Sequence, residues 1–148
     1  MDDAKPAPQN VVELVHRMAN MKALNPPDPH AVAKLAGGGE VLSTESALSF
    51  EVKTPLDGVT VLVDGGALPG VRIRTELRNG LTLRELSAEL GKPKTLVESK
   101  TSSVVFELES AGQQVSIYVN LFTPRVSESS PVLAIAIRRS DVAPNDMR

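Results

Sequence analysis

The sequence predicts an α+β domain: two helix–three-strand repeats forming one antiparallel sheet of about six strands, helices packed on one face, plus an N-terminal helix. Three observations carry this. Apolar residues recur at helical spacing in three short stretches, each behind an N-cap. They alternate with polar residues in six others, bounded by glycine, proline and serine. The order helix, strand, strand, strand occurs twice in 148 residues. A unit of about 50 residues cannot bury its apolar sheet face alone, whereas two units sharing one core can.

Met1–Gln9, with Pro6 and Pro8, reads as a disordered tail. Asn10 is an N-cap with Glu13 in the N3 position of a capping box. Val11, Leu14, Val15, Met18 and Met21 form one stripe of a helix over 11–24, stopped by Asn25-Pro26-Pro27. Asp28 and Pro29 suit the N-cap and N1 positions of a second helix, with Val32 and Leu35 toward the core and Gly37-Gly38-Gly39 at its end. Three strands follow, around Leu48/Phe50/Val52, Val59/Val61/Val63 and Val71/Ile73. Thr82 opens a third helix through a Thr-x-x-Glu capping box with Glu85 and a Leu81–Leu86 staple, and Gly91 and Pro93 end it. Val104/Phe106/Leu108, Val115/Ile117/Val119/Leu121 and Leu133/Ile135/Ile137 mark three more strands, and Ser140–Arg148 reads as a frayed tail.

The halves match in detail. Asp28 to Gly37 and Thr82 to Gly91 are both nine positions, and Phe50 maps onto Phe106 and Val61 onto Ile117 at an offset of 56. Ile73 maps onto Ile135 at 62, the extra residues falling in the Ser127–Pro131 loop. Repeat one spans about 28–78 and repeat two about 82–139 of a single domain over 10–139.

Thr82-Leu83-Arg84-Glu85-Leu86-Ser87-Ala88-Glu89-Leu90-Gly91-Lys92-Pro93, followed by three strands, resembles the helix-then-sheet units of the BamE-like outer-membrane lipoproteins and of the beta-lactamase inhibitory protein family. The overlap covers roughly 82–138 and, more weakly, 28–78. The resemblance implies a tandem-repeat protein that binds a target across its sheet. Two features depart from it: there is no cysteine to lipidate, and each unit offers one helix where those families usually place two. The first half also resembles small cytoplasmic immunity proteins of bacterial toxin systems.

Composition excludes several classes. Lys plus Arg is 16 and Asp plus Glu 18, a net charge of −2, which removes the electrostatic drive of a general nucleic-acid or anionic-membrane binder. With no cysteine there are no disulfides, thiolate zinc ligands or thiol nucleophile. With no tryptophan and one tyrosine, base- or sugar-stacking platforms are nearly absent. Met1–Asn10 has neither the basic start nor the apolar stretch of a secretory signal, so the expectation is a cytoplasmic protein.

No catalytic motif, cofactor or metal site is expected. His16 and His30 sit on separate helices without converging carboxylates. Glu107 and Glu109 share one sheet face, the spacing of a carboxylate pair, with nothing nearby that marks a sugar cleft. Gly37-Gly38-Gly39-Glu40 lacks the lysine and hydroxyl of a phosphate loop, and no serine has a nucleophile-elbow context.

The sheet face away from the helices says more. Its first half carries Ser49, Glu51, Lys53, Thr60, Leu62, Arg72 and Arg74; its second carries Val105, Glu107, Glu109, Ser116, Tyr118, Asn120, Phe122, Ala134, Ala136 and Arg138. Apolar patches rimmed by charge mark contact sites, and Tyr and Arg are common anchors. The partner-binding candidates are therefore Glu51, Arg72, Arg74, Glu107, Glu109, Tyr118, Phe122 and Arg138. The expected partner is another protein (a toxin, an enzyme or a secreted substrate) rather than nucleic acid or membrane. The leading reading is a small bacterial inhibitor or immunity-type protein that blocks its partner sterically. The alternatives are a homodimeric secretion chaperone or adaptor, and a small-ligand enzyme. Val132–Ile137, apolar and uncharged, must sit centrally in the sheet or be paired across a dimer, with Arg138-Arg139 as gatekeepers.

Overall fold

A computed structural model describes residues 10–20, 28–37, 40–44, 49–56, 58–64, 70–75, 81–110 and 113–139. The described residues form three helices and one eight-stranded antiparallel sheet, an α+β fold. In chain order the elements are α1 (Val11–Ala19), α2 (Pro29–Ala36), β1 (Val41–Ser43), β2 (Ser49–Val52), β3 (Thr60–Asp64), β4 (Gly70–Arg74), α3 (Leu83–Leu90), β5 (Thr95–Val97), β6 (Ser103–Ser110), β7 (Gln113–Leu121) and β8 (Val132–Arg139).

The helix ends follow from local chemistry. Asn10 Oδ1 accepts the Glu13 N–H at 2.9 Å, satisfying one of the unpaired donors of the first turn of α1. Asp28 Oδ1 accepts the His30 N–H at 3.1 Å, and Pro29 occupies the first helical position of α2. Gly37 closes α2 at φ 83°, a left-handed conformation glycine adopts without steric cost. At α3 the Thr82 N–H donates to Glu85 Oε1 at 3.1 Å and the Thr82 side chain faces the Glu85 N–H, the two halves of the expected capping box.

The sheet order is β1-β2-β3-β4-β8-β7-β6-β5, so the last strand of each half meets the other at the centre. The seam pairs Val71 with Ile137 and Ile73 with Ile135. The apolar run Val132–Ile137 is thereby hydrogen-bonded on both edges, by β4 and β7. Its aggregation hazard is removed by position.

One buried cluster joins Leu14, Val15 and Met18 of α1, Val32 and Ala36 of α2 and Leu86 of α3 to the inward rows of the sheet. One row runs Val52, Val61, Ile73, Ile135, Val119, Val104, each partner directly opposite the next. All six are at most 1% exposed. Burying a side chain of this kind stabilises by about 1.5–3 kcal/mol, so these rows and the helix stripes carry most of the hydrophobic stabilisation.

Several expectations are corrected. Among the described residues the sheet has eight strands, not six, because β1 and β5 add one edge strand to each half. Both are three residues long, too short for an alternating pattern to register. Phe50 lies opposite Val63 while Phe106 lies opposite Ile117, so a constant offset of 56 does not hold across these hairpins. Leu35 is half-buried rather than a core residue. Val132 is buried and Leu133 only partly so, because the strand register shifts between Asn120 and Leu121 and the Val132 N–H donates to Leu81 O at 3.0 Å. Helix α1 has its C-cap at Asn20. The expected continuation over 21–24, its stop at 25–27, Gly38-Gly39, Leu48, and the tails 1–9 and 140–148 lie outside the described residues.

Candidate functional site

The strand register fixes what the second sheet face presents. Its middle row runs Glu51, Leu62, Arg72, Ala136, Tyr118, Val105. On one side lies Thr60, Arg74, Ala134, Asn120, Ser103. On the other, Ser49 faces Asp64, Asp64 faces Gly70, and Arg138 faces Ser116, which faces Glu107.

These rows produce a trough. Along β8 the outward residues are Ala134 and Ala136, whose methyl groups are short. Arg72 and Arg74 stand beside them on β4, and Tyr118 and Asn120 on β7. Long side chains on both flanks of a short-chain strand leave a groove with an alanine floor. Its walls are two strand spacings apart, roughly 9–10 Å. The groove encloses about 370 Å³, and Leu62, Arg138, Ile73 and Ile135 also line it.

Arg138 closes one end. It is 8% exposed, with its guanidinium 5.5 Å from the centroid of the Tyr118 ring, within cation–π range. Burial holds its pKa below the usual arginine value and the Arg72 charge lowers it further, while Tyr118 and Asp64 act in the opposite direction. It stays charged at neutral pH all the same. A glycine makes room for it: a Cβ on Gly70 would lie 2.7 Å from Arg138 Cγ and 2.5 Å from the Ile137 carbonyl oxygen. Arg138 is thus packed into the face rather than guarding the strand end at the surface, as its pairing with Arg139 suggested.

Arg72 and Arg74 differ from it. Both are exposed and make no hydrogen bond or ion pair among the described residues. Among the described residues the trough therefore offers two unpaired guanidinium groups, a third fixed at one end, a phenol and an amide. Its chemical capacity is to hold an acceptor-rich, negatively charged group by charge-assisted hydrogen bonds.

Of the eight sequence candidates, the fold gathers Arg72, Arg74, Tyr118 and Arg138 into this groove. Glu51 shares their middle row but stands two strands from Arg72, beyond Leu62, and 4.0 Å from Lys53 Nζ. Glu107 sits beyond Ser116 and accepts from Lys94 Nζ at 3.0 Å. Glu109 lies further along β6, opposite Gln114. Phe122 follows the end of β7, is 53% exposed and takes no part in the groove lining. Asn120, Ala134 and Ala136 are groove residues that the sequence placed on this face without singling them out. The signal was present, small residues alternating on one strand, but it acquires meaning only once β4 and β7 are known to flank β8.

A second cleft, of about 480 Å³, lies between α1 and α3. His16 Nδ1 and Glu89 Oε2 meet across it at 2.8 Å, tying the two helices together with their own side chains. Among the described residues no group of three or more His, Cys, Asp or Glu side chains is arranged to hold a metal ion, and no helix is long and apolar enough to cross a membrane. No family model, curated protein or solved structure matches this chain.

Proposed function

We propose that this chain is a small bacterial protein-binding protein of inhibitor or immunity type, acting in the cytoplasm by sterically blocking a partner enzyme or toxin. Its two helix-plus-sheet repeats keep their helices on one face and leave the other to the partner. The observation that supports this reading is the trough itself. Two arginines without an ion pair among the described residues, a tyrosine and a third, fixed arginine converge at the centre of a wide sheet. Tyr and Arg are the residues in which interface energy concentrates.

The experiment is a pull-down from the source lysate with lysine crosslinking, run in parallel on Arg74→Gln and Glu51→Arg variants. The expected result is one stoichiometric partner crosslinked at Lys53, which is exposed and two residues along β2's direction from Glu51. Each variant should weaken its capture by more than about 1 kcal/mol. A partner held equally by the wild type and both variants, or crosslinked only at Lys34 of α2, refutes the assignment.

A homodimeric secretion chaperone is the second reading. The edge strand β5 supports it, because Leu96 is 52% and Val97 48% exposed on a strand paired along one side only. It requires a dimer on sizing before any partner is added.

A further inference from the structure

We propose that the trough over β8 receives an extended acidic segment of the partner, with alternate Asp or Glu side chains seated on Arg72 and Arg74. This rests on the protein-binding reading and names the chemistry of what is bound.

Spacing is the first argument. Arg72 and Arg74 are two residues apart on one strand and point to the same face. Their Cα atoms are therefore about 6.5–7 Å apart, the interval at which an extended chain presents every second side chain. A segment lying along β8 with acidic residues at positions i and i+2 matches both guanidinium groups at once.

Donor inventory is the second. Arginine donates and cannot accept, and its planar fork suits carboxylates. Asn120 on the opposite wall supplies an amide for the segment's backbone, and the alanine floor lets the segment approach. Arg138, held over Tyr118, is already ordered at one end, so seating a carboxylate near it costs little further side-chain entropy.

The surroundings select a peptide over a polyanion. Glu51 and Asp64 lie on the strands beyond Arg72, and Glu107 lies beyond β7 on the other side. The positive region is a narrow strip flanked by Asp64 and by the Glu51–Lys53 and Glu107–Lys94 pairs, in a chain of net charge −2. A nucleic-acid strand extending past the trough would meet balanced charge pairs and gain no further net positive charge there, whereas a short acidic segment fits within the strip. Both edges of β8 are already hydrogen-bonded to β4 and β7, so the segment adds no strand to the sheet. Recognition then depends on side-chain charge and must weaken with salt.

The chain has one tyrosine and no tryptophan, and that tyrosine lines the trough. Its intrinsic fluorescence reports the site without a label. The probe is the peptide acetyl-Gly-Glu-Val-Glu-Val-Glu-Gly-amide, compared with its all-glutamine counterpart, with an isomer whose glutamates are contiguous, and with a short oligothymidylate followed by calorimetry. Saturable binding of the alternating glutamate peptide is expected, at least about tenfold tighter than the glutamine peptide. Contiguous glutamates bind more weakly, and affinity falls between about 50 and about 300 mM NaCl. Arg72→Gln and Arg74→Gln each weaken binding about fivefold with the circular dichroism spectrum unchanged, while Lys92→Gln on the α3 side leaves it unaltered. No saturable binding, equal binding of the glutamine peptide, tighter binding of the oligonucleotide, or indifference to both arginine changes overturns the proposal. If a partner still crosslinks at Lys53 while the peptides fail, the acidic-segment inference falls and the protein-binding reading stands.

Discussion

Replacing Gly70 by alanine tests the seam of the sheet and the groove together. Gly70 is buried at the start of β4, and its φ lies outside the left-handed region, so an alanine there meets no intrinsic backbone strain. The obstacle is contact. The added Cβ would lie 2.5 Å from the Ile137 carbonyl oxygen, against an ordinary contact of 3.4–4 Å. Relief requires β4 and β8 to separate locally by about 0.9 Å, which stretches a ladder hydrogen bond from about 2.9 Å to beyond useful range. Overpacking costs about 1–3 kcal/mol; against a backbone oxygen, which cannot swing aside, the upper part of that range, about 2–3 kcal/mol, applies, and the lower entropy of an unfolded alanine offsets about 0.4–1 kcal/mol of it. The net expectation is about 1–2.5 kcal/mol of destabilisation, a fall in Tm of about 3–10 °C for a chain of this size.

Urea and thermal unfolding followed by circular dichroism measure that cost, and tyrosine fluorescence in the native baseline shows whether Arg138 has left the ring. The double variant Gly70→Ala/Arg138→Ala separates the two contacts. It removes the clash at Cγ and leaves the one at the carbonyl, so most of the cost of Gly70→Ala should persist in the Arg138→Ala background. A Gly70→Ala protein within about 0.5 kcal/mol of wild type, or full recovery in the double variant, refutes the close approach of β4 to the β8 backbone.

Phe106 is the largest fully buried side chain, and Phe106→Ala should cost about 3–5 kcal/mol in urea titration; Phe122→Ala, at a 53% exposed position, should stay within about 0.5 kcal/mol. A comparable loss from both would mean that Phe122 is packed. Arg72→Gln should leave stability unchanged or raise it by a few tenths of a kcal/mol, because it removes a like charge beside Arg138 and breaks no hydrogen bond among the described residues. A loss above about 1 kcal/mol would make Arg72 a structural residue.

Sequence and structure agree where the cause is local. The caps at Asn10, Asp28 and Thr82 act within three residues and were readable as motifs. The inward rows were readable because alternation survives whichever strand lies alongside. Strand order was not readable, since nothing near β4 in sequence specifies that it pairs with β8, whose partner residues lie 60–66 positions further on. The groove depends on that pairing. Arg72 and Arg74 become one of its walls because the alanines beside them belong to β8, and Arg138 can be buried because the residue it lies over is Gly70. The two edge strands are illegible in the sequence for another reason: three residues give no period to detect.

The central face carries an arrangement that folding alone does not ask for. Threonine or valine at positions 72 and 74 would suit a strand better and would spare Arg138 a neighbouring positive charge. Arg138 has a ring beneath it, a glycine beside it and the Asp64 charge in its favour. Arg72 and Arg74 have no such support among the described residues. Side chains that the fold needs are ordinarily held by it; these two are held by nothing among the described residues and stand at the middle of the sheet, where a docking partner would bury them most completely. If Arg72→Gln weakens acidic-peptide binding while stability holds or rises, the residue serves an external contact at the expense of internal electrostatics, the trade-off expected of a binding site. If binding and stability both stay level, the arginines are ordinary surface charge and the trough loses its claim to function.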